Sequence, residues 1–134
     1  MASDDDSELI AVMRALREQV VGVTDVAVAT RDGLLIAADS GEEVDLDRLA
    51  ALAAATLGLA SGGGAAVDRG VPGQVTLEYS SGYLAVRPVG STALMVVLGD
   101  RGMDLAGFRA HAQAAVEGLG TLLAAEKVHA HTDI

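Results

Sequence analysis

Few residues in this 134-residue chain have the type and spacing for chemistry. The stretch SGGGAAV, residues 61–67, has glycines like those of a phosphate loop, whose backbone N–H groups cradle an anion. That loop requires Gly-x4-Gly-Lys-Ser/Thr after a strand, and no lysine follows here. His129 and His131 could chelate a metal, but no cluster of carboxylates or thiolates stands beside them. Ser80 or Ser91 could be paired with His111 as nucleophile and base, yet neither lies in a nucleophile elbow. The acidic group Glu42, Glu43, Asp45 and Asp47 falls at a helix start, where the helix dipole favours negative charge. Capping and solubility account for it; steering toward a basic partner surface is the functional alternative. Arg31-Asp32-Gly33 sits between two apolar runs and reads as a turn, with Arg31 a candidate partner contact. The expectation is a non-enzyme with no catalytic residue, no cofactor and no metal.

Bulk properties narrow the partners. The formal net charge is −10, which disfavours nucleic acid and anionic membrane as direct partners, both being polyanions. There is no cysteine, so disulfides, thiolate zinc sites and catalytic thiols are excluded. Aromatic residues make up only 2%, so the core must be built from Ala, Val, Leu, Ile and Met. The acidic start MASDDDSELI lacks the basic and apolar regions of a secretory signal. The longest apolar candidate for a membrane span, residues 49–67, is interrupted by glycines and reads better as a buried helix. The expected location is cytoplasmic, peripheral to membranes only through partners.

Periodicity supplies the elements that would position any site. Residues 7–20 place Leu9, Ile10, Met13, Leu16 and Val20 on one helical face, with Arg14, Arg17 and Glu18 opposite. Residues 25–30 and 34–39 form a hairpin with apolar residues on both parities, Val26, Val28, Leu34 and Ile36 on one and Ala27, Ala29, Leu35 and Ala37 on the other. Burial on both faces requires a sheet between helices. A long second helix begins at Asp45 and reaches about Val67. Three strands follow, at 74–79, 83–89 and 93–98, the first half-polar and therefore an edge. A last helix is capped by Asp104, its stripe running Leu105, Phe108, Ala112, Ala115, Leu119, Leu122 and Leu123. The order is helix, hairpin, helix, three strands, helix: an α+β, α/β/α sandwich on a five-stranded antiparallel sheet. Residues 1–6 read as a disordered acidic N-terminus, 7–127 as one domain and 128–134 as a flexible tail.

The second helix is the most informative segment. Leu46, Leu49, Ala53, Leu57 and Ala60 form one stripe, and Ala51, Ala55, Gly58, Gly62 and Ala65 the far side, with Leu52 and Leu59 between. Beyond Arg48 no charge occurs until Asp68. A helix apolar all round is buried all round, and one small domain covers only one side of it. Either Gly62–Gly64 is a loop and the helix stops at Ser61, or the small residues admit a second helix closely. In both cases Leu52 and Leu59 need a cover. The expectation is a homodimer through Ala51, Leu52, Ala55, Gly58, Leu59 and Gly62, joined by Val75, Leu77 and Tyr79 of the edge strand.

The element order, the RDGLLIA hairpin, the Ala-rich second helix and the GYLAV and ALMVVL strands together resemble the Roadblock family of dynein-light-chain-related, longin-like domains, over roughly residues 9–123. The resemblance implies one helix on one sheet face and two on the other, and homodimers formed through the second helix and third strand. It also implies a dimeric platform that pairs with a Ras-like small GTPase, in some members accelerating GTP hydrolysis. Relatives in actinomycete-like gene clusters, the conservons, stand beside a sensor kinase, so a kinase is a second implied partner. Asp32 and Gly33 match the family hairpin. The triple glycine departs from the Ala- and Arg-rich helix end usual there. Arg31, Arg48, Glu42 and Glu43 are the candidate partner contacts. Two alternatives stay open: a scaffold for a kinase or transport complex without GTPase contact, and a small-ligand sensor of PAS or profilin-like type.

Overall fold

The computed structural model describes residues 4–132 except Glu42, and side chains over 6–125 with the same exception. The side chains of His129 and His131, together with Glu42, lie outside the described residues. The elements are α1 (Asp4–Gln19), β1 (Val23–Thr30), β2 (Leu35–Asp39), α2 (Leu46–Ala66), β3 (Val75–Tyr79), β4 (Gly82–Val89), β5 (Ala93–Gly99) and α3 (Leu105–Thr132). The five strands form one sheet in the order β2-β1-β5-β4-β3 with every pairing antiparallel. The half-polar β3 is an edge, as its alternation requires. Helix α1 starts at Asp4, inside the segment expected to be disordered, and α3 runs to Thr132, past the expected boundary at 127.

Two cores flank the sheet. On one face α1 and α3 bury Leu9, Met13, Leu16, Phe108, Ala112 and Leu119 against Val26, Val28, Met95 and Val97. On the other, α2 buries Leu49, Ala50, Ala53 and Leu57 against Ala27, Ala29, Leu84, Val86, Leu94 and Val96. The small Ala27 and Ala29 under α2, against valines under α1, let α2 lie close to the strands. By length and hydropathy alone α2 could cross a membrane. Its inner stripe, however, is packed on the sheet.

The structure corrects three local expectations. Leu34 lies outside β2 and is 65% exposed. The pairing passes from Val28↔Ala37 to Ala29↔Leu35, so Ile36 is an extra residue and Ala37 joins the α1–α3 core with Val26 and Val28. Leu105, expected in the α3 stripe, is exposed. The hairpin turn itself is of the three-residue kind. Gly33 N–H donates to Thr30 O (3.0 Å), Thr30 N–H donates to Leu34 O (2.9 Å), and Gly33 takes φ +93°.

The loop alternative for Gly62–Gly64 is excluded, because all three glycines are helical and α2 ends only at Ala66. Three glycines should weaken a helix by about 1 kcal/mol each. The end is fixed instead by a Schellman arrangement: Arg69 N–H donates to Gly64 O (2.8 Å) and Asp68 N–H to Ala65 O (3.3 Å). Asp68 supplies the left-handed residue, with φ +57°, where glycine is usual. Gly64 must be glycine, since a Cβ there would stand 2.2 Å from Gly70 O. At the other end Asp45 caps α2, its Oδ1 accepting from Arg48 N–H at 3.1 Å.

Candidate functional site

The α2 residues expected at an interface share one outward face. Ala51, Leu52, Ala55, Gly58, Leu59 and Gly62 are all exposed. Leu52 is 53% and Leu59 80% accessible, costly for side chains of this size. A Cβ placed at Gly58 or Gly62 would meet nothing within 4 Å, so the backbone itself is open to close approach. No charged side chain occurs on α2 after Arg48. The apolar surface extends beyond the expected residues. Val67 and Val71 are exposed past the C-terminal end of α2. Leu34 is exposed because β2 begins only at Leu35.

Strand β3 adds an edge on the same sheet face. Leu77 packs against the α2-side core, and Val75 shares its parity. Both are half-buried already, so the strand's contribution to an interface rests on its unpaired backbone edge and on Tyr79, which is 53% exposed. Its described ladder partner is β4 alone.

The candidate polar contacts separate. Arg31 is committed to the β4–β5 turn: Nε donates to Ala93 O (2.7 Å) and Nη2 to Gly90 O (2.8 Å). Its first role is therefore to staple one turn to another. Arg48 is exposed at the start of α2, and its guanidinium has no partner among the described residues. Glu43 is exposed close by in the loop before α2. His111 is exposed, Ser80 and Ser91 lie in separate turns, and no metal-binding cluster occurs among the described residues.

One charged cluster escaped the sequence reading. Asp25 and Asp39 are buried at the end of the β1–β2 pair. Asp39 accepts from Arg14 Nη2 (3.2 Å) and Arg17 Nη1 (3.3 Å). Asp25 accepts from Thr24 Oγ1 (2.6 Å), Ser40 Oγ (2.7 Å) and Gly41 N–H (3.0 Å). Burial pushes the Asp25 carboxyl upward, but the three hydrogen bonds and nearby Arg17 outweigh it, and its pKa lies below the usual value. The cluster clamps α1 to the strand ends. A signal existed: two aspartates in otherwise apolar strands, and two arginines three apart on α1.

Comparison with known proteins agrees with this geometry. The Roadblock/LC7 domain model matches residues 5–99. The chain belongs to the Roadblock/LC7 domain family. A Roadblock/LC7 domain from Streptomyces avermitilis is 27% identical, with 84% of this chain and 95% of that chain covered and a TM-score of 0.79. Myxococcus xanthus MglB shares the fold at 21% identity, covering 93% and 94% of the two chains with a TM-score of 0.83. An MglB with a tetrameric arrangement matches at 17% identity, covering 91% and 92%, TM-score 0.83. No curated protein sequence matches the chain significantly.

Proposed function

We propose that this chain is a non-enzymatic homodimeric platform that binds a Ras-like small GTPase in a signalling complex. The observation that carries the dimer is the outward face of α2, where Leu52, Leu59 and a run of Ala and Gly stand exposed without a charge. Surfaces of this kind mark interaction sites. Two copies related by a two-fold would bring Ala51, Ala55, Gly58 and Gly62 of each α2 together, with β3 edges meeting through Val75, Leu77 and Tyr79. The tetrameric arrangement of an MglB of the same fold supports self-association.

The GTPase part rests on membership of the Roadblock/LC7 domain family and on the MglB structures that share its fold. A dimer would act by ordering the partner's switch segments. Arg48 is the candidate contact with most freedom, and Glu43 stands close to it in the chain. A cytoplasmic setting and a sensor kinase in the same assembly complete the reading. The experiment is capture of a GTPase from lysate in GTP- and GDP-loaded states, followed by a hydrolysis assay. Recovery of a small GTPase in one nucleotide state is expected; recovery in neither refutes the GTPase role.

A further inference from the structure

The sheet face opposite α2 holds a cationic groove in a chain of net charge −10. Arg87 of β4 and Arg109 of α3 line an open groove of about 510 Å³ with Gly73, Gln74 and Thr76. Register places them: Thr76 lies opposite Ala85 and Val75 opposite Val86, so Gln74, Thr76 and Arg87 share the parity of Ala85, which belongs to the α1–α3 core. The floor is thus the polar side of the edge strand and one wall is α3. Among the described residues no carboxylate lines the groove. The next acid along that side of β3, Glu78, is held by Arg101 at 3.2 Å. Arg87 Nη2 donates to Gln113 Oε1 (2.6 Å), and Gln113 Nε2 donates onward to Glu117 (3.0 Å). Arg87 Nε is buried with no hydrogen-bond partner, and Arg109 has no partner among the described residues.

Two guanidiniums lining one space repel, and a carboxylate between them offsets that repulsion through charge-assisted hydrogen bonds. We propose that this groove is a docking site for an acidic segment of a partner protein, its carboxylates received by Arg87 and Arg109. The groove is open, which suits an extended segment better than an enclosed small anion. It lies on the sheet face opposite α2, and the test reads peptide binding directly, without a GTPase.

The test is fluorescence anisotropy of the full chain with a labelled peptide of alternating Glu and Gly, against its Gln counterpart. The Glu peptide is expected to bind and the Gln peptide not. Arg109→Gln and Arg87→Lys should each weaken binding about tenfold, the loss expected for a charge-assisted hydrogen bond. Arg69→Gln, the same charge change elsewhere on the surface, should leave it unchanged. The Arg87 Nε–H resonance should shift on titration. Absent binding, equal binding of both peptides, or equal loss in Arg69→Gln overturns the proposal. So does tighter binding of inorganic phosphate, or of phosphatidylserine vesicles, than of the peptide.

Discussion

Replacing Leu59 by alanine separates an interface role from a folding role. Leu59 is 80% exposed, so truncation removes almost nothing from the core of a single chain. Alanine also suits a helix at least as well. In a two-fold dimer through α2 the substitution acts twice. Burying most of a leucine is worth about 2 kcal/mol, of which alanine keeps a fraction, so about 1.5 kcal/mol is lost per copy and about 3 kcal/mol per dimer. That corresponds to a dissociation constant raised about 150-fold. Sedimentation equilibrium over a wide concentration range reads this directly. Leu57→Ala is the contrast: Leu57 is 2% exposed, and its loss should destabilise the fold itself by about 2–5 kcal/mol. If Leu59→Ala associates as tightly as the unaltered chain, the outer face of α2 is not the interface.

Further consequences concern the helix end and the charged clusters. Gly63→Ala adds a Cβ that meets nothing within 4 Å, so it should raise the melting temperature by about 3–5 °C, whereas Gly64→Ala should lower it through the clash with Gly70 O. Asp25→Asn should lower thermal stability at neutral pH by about 1–3 kcal/mol. Because the folded Asp25 pKa is depressed, its ionised form stabilises the fold above about pH 4 and that contribution fades as pH falls through the folded value. The gap between Asp25→Asn and the unaltered chain should therefore narrow in acid melts; a constant gap contradicts the assignment. Arg31→Ala should loosen the β4–β5 turn, costing about 1 kcal/mol and increasing amide exchange at Gly90 and Ala93 without changing association.

The architecture was legible because its signals are periodic. Alternation in residues 74–79 marks β3 as an edge, the two-sided apolar runs of the β1–β2 hairpin place the sheet between helices, and the α2 wheel reveals a helix with no polar side. What escaped depends on contacts that a single segment does not carry. The bulge at Ile36 is a matter of register between two strands, and it turned Ala37 to the α1–α3 core. Gly62–Gly64 stays helical because the chain beyond folds back onto the helix end, which propensity along the segment does not report. Arg31 looked like a surface contact until the distant β4–β5 turn supplied its carbonyl partners. The groove of Arg87 and Arg109 joins two elements far apart in sequence and has no local signature.

The paired platform is most directly tested by the solution mass of the unaltered chain at micromolar concentration, measured by light scattering after size exclusion. Twice the chain mass of 13.5 kDa is expected, falling to the single-chain value when Ala55→Glu places a charge on the outer face of α2. A monomer at every accessible concentration, or a dimer indifferent to Ala55→Glu, would contradict it.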